Sequence, residues 1–299
     1  MRIFDAHVHM QGDETPEEIK RWLDASGVER VGLISEDPCE APAKDKGKGE
    51  GLLRPRVSTP AEQRRRVEHL GGIAKALPDR VAGLAWVEPT TKGVVELVEE
   101  ARERYGIAGI KLIPNGWYPC EERFFALYEK ARDLSMPILF HTGILWSWGD
   151  TSRFCRSVYL EALMQFTGLR FAMAHVAWPW TDECIATAQK FQVMNKVAGH
   201  REGQAVVDLT PGTPEIYRED VLRKVVSETD KKLIIWGTDF YTARSDPATW
   251  GKEGEAGGPV RYPHERVRRD AAILESAGLE REAVEDVFYG NARRFYGMG

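Results

Sequence analysis

Residues 2–10 read RIFDAHVHM, a short apolar run that carries two histidines, His7 and His9, at its far end. Side chains at i and i+2 of a β-strand share a face, so both imidazoles project the same way, about 6 to 7 Å apart. At that spacing two imidazoles can bite one metal ion. Taken alone, such a pair is more often a solvated or structural feature, or a tag remnant, than a metal site. The rest of the chain decides.

Seven further runs have the same character: RVGLIS (30–35), RVAGLAWV (80–87), GIAGIKLI (106–113), PILFHTG (137–143), RFAMAHV (170–176), AVVDLT (205–210) and KLIIWGTDF (232–240). Short, nearly continuous apolar runs are the strands buried on both faces of a parallel sheet. Helical patterns alternate with them, among them TPEEIKRWLDASG (15–27), TPAEQRRRVEHLGGIAKALP (59–78), SVYLEALMQFTG (157–168), TDECIATAQKF (181–191) and TPEIYREDVLRKVVSETD (213–230). Several start with Thr ahead of Pro or Glu, whose hydroxyl can cap free amides while Pro fits the first turn. Eight strand–helix units with right-handed crossovers predict an α/β fold, a single (β/α)8 TIM barrel spanning residues 1–299. A doubly wound open sheet is the fallback, but no strand is followed by a GxGxxG or GxxxxGK[ST] phosphate loop.

Composition narrows the class. Of 299 residues, 42% are apolar, enough for a large core. No apolar run approaches the roughly 18 residues that cross a bilayer, so no membrane association is expected. Forty-six acidic against 41 basic residues give a net charge of −5. The basic cluster Arg64–Arg66 lies in a helical pattern with interspersed acids, so nucleic acid is not an expected partner. The start shows no charged segment leading into an apolar stretch and cleavage site, and the four cysteines are scattered without a CxxC pair. Reduced thiols in a cytoplasmic protein are the reading. Two Gly-, Pro- and Lys-rich stretches, 36–58 and 241–263, follow the second and eighth strands, on the face where barrel active sites are built; each is either a lid or a surface insertion.

The histidine pair gains its meaning from company. His141 ends the fifth run, His175 the sixth and Asp239 the eighth, and strand ends distant in sequence meet around a barrel axis. His69, His200 and His264 sit in helical or loop contexts and read as surface or packing histidines. Several unrelated core histidines would bury polar groups repeatedly without partners, so a catalytic metal site is the better account. A tag would not be echoed at later strand ends.

The HxH after the first strand, the His after the fifth and sixth and the Asp after the eighth resemble the amidohydrolase superfamily. GIKLIP, FHTG, WGTDF and YGNARRFYG are similar to its amidohydrolase-related branch, which contains the aminocarboxymuconate-semialdehyde decarboxylase-like enzymes and many metal-dependent hydrolases. The resemblance implies that His7, His9, His141 and Asp239 ligate one divalent metal, usually zinc. It implies that His175 stands beside a metal-bound water as acid, base or electrostatic stabiliser, or ligates a second metal. Lys111 ends the fourth strand, where binuclear relatives carry a carboxylated lysine; bridging ligand, partner of a substrate carboxylate and buried structural lysine are all open. Relatives often form homodimers.

A metal with an open position supplies hydroxide at neutral pH, and Asp239 can carry the proton while His175 stabilises an oxyanion. The expectation is a hydrolase of a small ester, lactone or amide. The alternatives are a non-oxidative decarboxylase of an aromatic or muconate-like acid, and an inactive barrel serving as a ligand-binding module. Trp117, Trp146, Trp148, Trp178 and Trp180 follow strands four to six beside Tyr118, and form either an apolar wall for a planar substrate or loop packing. Trp146 and Trp178, with the rim arginines Arg153 and Arg244, are candidate substrate contacts; Arg54 and Arg56 share the rim.

Overall fold

The computed structural model describes residues 1–40, 56–146, 150–199, 204–242 and 262–299. The apolar runs form strands β1 (Phe4–His9), β2 (Arg30–Ile34), β3 (Val81–Trp86), β4 (Gly109–Leu112), β5 (Ile138–Phe140), β6 (Phe171–Met173), β7 (Ala205–Asp208) and β8 (Ile234–Ile235), each parallel to its neighbours in sequence order. Ring closure comes from a divided eighth strand. Ile234–Ile235 pairs with β7, the two-residue strand Phe240–Tyr241 pairs with β1, and between them Ala6 N donates to Trp236 O (3.1 Å) and Asp239 N to His7 O (2.9 Å). The expected TIM barrel is the observed fold.

The intervening patterns form α1 (Pro16–Ser26), α2 (Pro60–Ala76), α3 (Val94–Tyr105), α4 (Phe125–Asp133), α5 (Thr181–Ala198), α6 (Glu215–Glu228) and α7 (His264–Ser276). Thr15 and Thr59 cap α1 and α2 in reciprocal capping boxes with Glu18 and Glu62, and Pro opens both helices. The same logic fails at α5 and α6. Thr181 lies inside the helix, Thr213 is displaced by Pro214 at the cap position, and neither hydroxyl has a hydrogen-bond partner. The segment after β5 winds as a 3-10 helix over Ser157–Gln165, where Glu183 from α5 accepts from Val158 N and so satisfies an end amide from outside. The long stretches after β2 and β8 lie largely outside the described residues.

β1 departs from simple alternation. Asp5 pairs with Val31 and Val8 with Leu33, so three steps on β1 oppose two on β2, a β-bulge. Below it Phe4 and Ala6 face the barrel interior with Ile34, Leu84, Ala172, Val206 and Ile235. Above it the phase inverts: Val8 joins the outer layer between strands and helices, while His7 and His9 turn inward. A helical tail, α8 (Arg281–Glu285) and α9 (Asn291–Tyr296), closes the base of the barrel. Asn291 Nδ2 donates to Lys231 O and Ile234 O, and the Tyr296 hydroxyl to Ala6 O.

Three described cysteines, Cys120, Cys155 and Cys184, are free thiols, and no described helix is long and apolar enough to cross a membrane. One buried ion pair braces the strand ends from behind. Arg218 on α6 meets Asp270 on α7 through two hydrogen bonds (2.6 and 3.2 Å), and both are buried. The pair also binds Leu209 O, just beyond β7, and Trp236 Nε1, just beyond β8. Removing one partner leaves an uncompensated buried charge, so Asp270→Ala lowers unfolding free energy by about 3–5 kcal/mol in urea denaturation, whereas the apolar double variant Arg218→Met/Asp270→Leu loses much less.

Candidate metal centre and active site

The carboxyl ends of the strands bring the sequence candidates into one chamber in two groups. In the first, His7 Nε2 lies 3.2 Å from His9 Nε2, and Asp239 Oδ1 is 3.3 Å from the first and 3.2 Å from the second. Ligand atoms of these three side chains all fall within 4.8 Å of one another. Lys111 Nζ, fully buried on β4, is 3.0 Å from the same His7 Nε2. In the second, His175 Nε2 faces His141 Nδ1 at 3.1 Å, and the His175 ring centroid is 5.4 Å from that of His7.

Hydrogen bonds from behind assign the nitrogens. His7 Nδ1 is 2.9 Å from Asp208 Oδ2, so Nδ1 carries the proton and Nε2 turns its lone pair into the chamber. His175 Nδ1 donates to Pro211 O (2.7 Å) and His141 Nε2 to Ile144 O (3.2 Å), because a carbonyl only accepts. Neutral rings then present two lone pairs to each other across the 3.1 Å His141–His175 contact. His9 Nδ1 is buried without a hydrogen-bond partner among the described residues. Converging lone pairs beside a carboxylate are a donor set that a divalent cation satisfies.

Electrostatics point the same way. Burial pushes the pKa of His7, His9, His141 and His175 below that of a free imidazole, the Lys111 ammonium adding to the effect, which favours the neutral ligand form. Burial alone would lift the Asp239 carboxyl, but His175, His7 and the hydrogen bond with His9 outweigh it and hold the group well below the usual carboxylate range. Burial brings Lys111 down to about 8 and raises Asp208 to about 6.

Backbone strain gathers at the same side chains. His175, Val176, Ala177 and Asp239 account for four of the five non-glycine residues with positive φ among those described. Each costs roughly 1–2 kcal/mol, and such strain clusters at functional sites. The turns are held in place. Thr210 Oγ1 accepts from His175 N (3.1 Å), and Asp5 accepts from Thr238 N (2.9 Å), the Thr238 hydroxyl and the Tyr262 hydroxyl (3.1 Å). Close approach requires glycine at two positions. A Cβ on Gly237 would sit 2.9 Å from His7 Cβ, and one on Gly212 would sit 2.6 Å from His175 Cβ.

Arg153 is exposed, its Nη1 3.2 Å from Asp150 and its guanidinium over Phe154; Trp146 is 79% exposed. Trp178 is half-buried, with its carbonyl accepting from Ile144 N (2.9 Å), and Trp117 is buried against Phe124. Arg244, Arg54, Trp148 and the side chain of Arg56 lie outside the described residues. Two further aromatic groups stand beside the cluster: Tyr241 stacks on His9 at 5.0 Å and Trp86 meets it edge-on at 5.4 Å. Sequence reading also missed Asp208, although an acid ending the seventh run carries the same positional signal as Asp239. His69 hydrogen-bonds Glu14 O and His264 opens α7, both away from the cluster.

A family model described as Amidohydrolase matches residues 4–298. No functionally curated protein matches significantly. Among solved structures, the chain is similar to an uncharacterised TIM-barrel protein from Bordetella bronchiseptica (16% identity, 99% of each chain covered, TM-score 0.61). It is similar to a 5-carboxyvanillate decarboxylase from Novosphingobium aromaticivorans with bound manganese (11% identity, 99% of this chain and 97% of that one, TM-score 0.62). It is also similar to a putative 2-pyrone-4,6-dicarboxylic acid hydrolase from Pseudomonas putida (16% identity, 99% and 97% covered, TM-score 0.55). At these identities the likeness is one of fold.

Asp208→Ala frees the His7 ring to turn and change tautomer, and Gly237→Ala forces the ring aside. Each is expected to weaken divalent-metal binding by about 10- to 100-fold in a chelator competition titration, with the far-ultraviolet circular dichroism unchanged.

Proposed function

The chain belongs to the amidohydrolase family, a family of metal-using enzymes, and from that premise we propose that it is a hydrolase of a small ester, lactone or amide. The observation that carries the reading is the meeting of His7 Nε2, His9 Nε2 and Asp239 Oδ1 within hydrogen-bond distances of one another. In this reading those three residues hold one divalent ion, zinc as the first candidate, with His141 joining them. A bound ion of this kind polarises a carbonyl and lowers the pKa of water toward about 7.

The chain's own groups do the rest. Asp239 is ionised and its side chain is 34% exposed, against 5% or less for the two histidines, so it can take a proton from attacking water and deliver it to a leaving group. His175, held by Pro211 O and Thr210, keeps the Nε2 lone pair directed into the chamber, where it can take up a proton and, once protonated, donate to the oxygen on which charge develops. Trp86 and Tyr241 narrow the solvent path around His9 and offer a planar substrate apolar contact. Arg153, Trp146 and Trp178 are the described candidates for substrate contact, and Arg244 is a candidate by its place in the sequence.

Lys111 supports a second reading of the metal count. Carboxylation of a lysine needs the neutral amine, and burial brings this one down to about 8. Metal analysis of wild type and Lys111→Ala decides: one equivalent in both excludes a bridge, and two falling to one establishes it.

The purified protein is expected to carry a divalent metal that is lost in His7→Ala and His9→Ala. Chelation should abolish turnover of an ester, lactone and amide panel, and readdition should restore it. His175→Ala should retain metal and lose about 10²- to 10⁴-fold in kcat. Carbon dioxide release from aromatic carboxylic acids, with no hydrolysis, would replace the proposal by decarboxylation. Metal retention with no turnover and tight retention of a ligand would make the barrel a binding module.

A further inference from the structure

The opposite end of the barrel has a cleft that the proposed reaction does not use. It occupies about 870 Å³ where the chain enters β5, β6 and β8, with α5 and α9 as walls. Among the described residues, five cations line it, Arg132, Arg170, Lys196, Lys232 and Arg294, against one acid, Asp230, in a chain whose net charge is −5. The acid is engaged, accepting from Lys232 N at 2.9 Å. Arg132 and Arg294 are paired with Asp133 and Asp286, and Arg170 donates to Arg294 O and Ser135 O. Lys196 and Lys232 have no carboxylate partner among the described residues.

Beneath this rim the lining is apolar: Met136, Val206, Leu233, Ile235 and Phe295, with Val206 and Ile235 reaching it from the barrel strands. Gln192 Nε2, also in the lining, is buried and has no hydrogen-bond partner among the described residues. A buried donor is costly to leave unsatisfied, so the position favours a ligand that accepts from it. Like-charged lysines facing one cavity repel each other unless an anion sits between them. A volume of this size suits a ligand of metabolite or drug dimensions.

We infer that this cleft is a second binding site, for a small organic anion with an apolar body, formed by Lys196, Lys232 and Gln192 above a hydrophobic floor. The negative group meets the two ammonium groups and accepts from Gln192 Nε2, while the hydrocarbon or aromatic body covers Met136 and Phe295. The inference is independent of the chemistry at the histidine cluster, which lies at the far end of the barrel axis.

Anilinonaphthalene sulfonate, an aromatic anion whose emission rises in apolar surroundings, is the probe, titrated against the intact protein. One saturable site per chain is expected, with affinity falling as salt is raised. The double variant Lys196→Glu/Lys232→Glu, at two exposed positions, should weaken the dye's Kd at least about tenfold with an unchanged thermal midpoint. Gln192→Leu should weaken it too, and His7→Ala should leave it unchanged. An unaltered Kd in the double variant overturns the site. Displacement of the dye by inorganic phosphate at comparable concentration overturns the ligand class, because the apolar floor would then contribute nothing.

Discussion

One extra residue in β1 governs the interior of this barrel. Strict alternation offers only two options: Phe4, Ala6 and Val8 inward, or Asp5, His7 and His9 inward. The bulge between Asp5 and Val8 gives the strand both, apolar at the base and imidazole at the top. Asp5 is thereby left on the outer side, where it takes hydrogen bonds from Thr238 and Tyr262 and steadies the turn that bears Asp239. His7 and Asp239 are thus set by the same irregularity, one by side-chain phase and the other through the group that the phase change leaves behind.

The two ends of the barrel are chemically opposite for a physical reason. Neutral imidazoles, an ionised carboxylate and strained turns can persist at the carboxyl end because each is anchored by a partner behind it: Asp208 for His7, Pro211 and Thr210 for His175, His7 O for the Asp239 amide. At the amino end the interior is sealed by Phe4, Phe295 and Tyr296, so polar groups there sit on a rim rather than in a chamber. Arg218 and Asp270 join the loops beyond β7 and β8 from outside, so the rigidity of the carboxyl end depends on a charge pair set behind the histidine cluster.

Period and turn chemistry were legible where they are local. The strand runs, the capping boxes of α1 and α2, and the placement of His7, His9, His141, His175 and Asp239 at strand ends all follow from spacing of a few residues. Asp208 carried the same signal and was passed over because an acid at a strand end has many possible uses until a histidine from another strand is seen behind it. Thr213 is displaced by the proline beside it, whereas the 3-10 winding after β5 is braced by Glu183 from another element, and such context overrides propensity. Tyr241 and Trp86, rather than the predicted tryptophans at the rim, stack around His9 because barrel curvature decides which strand ends face one another.

The sequence by itself determined the alternating architecture, its membership in a metal-using family and the side chains available at the strand ends. These are local or compositional properties, written in periodicity and residue type. Only the tertiary structure decided that His7, His9 and Asp239 share one point in space, that His141 faces His175, and that two lysines without a carboxylate partner among the described residues overlook an apolar floor at the other end. The first arises when strands more than 200 positions apart close into a ring, through the bonds from Ala6 to Trp236 and from Asp239 to His7, and the others when neighbouring strand–helix units pack side by side. No local pattern contains them.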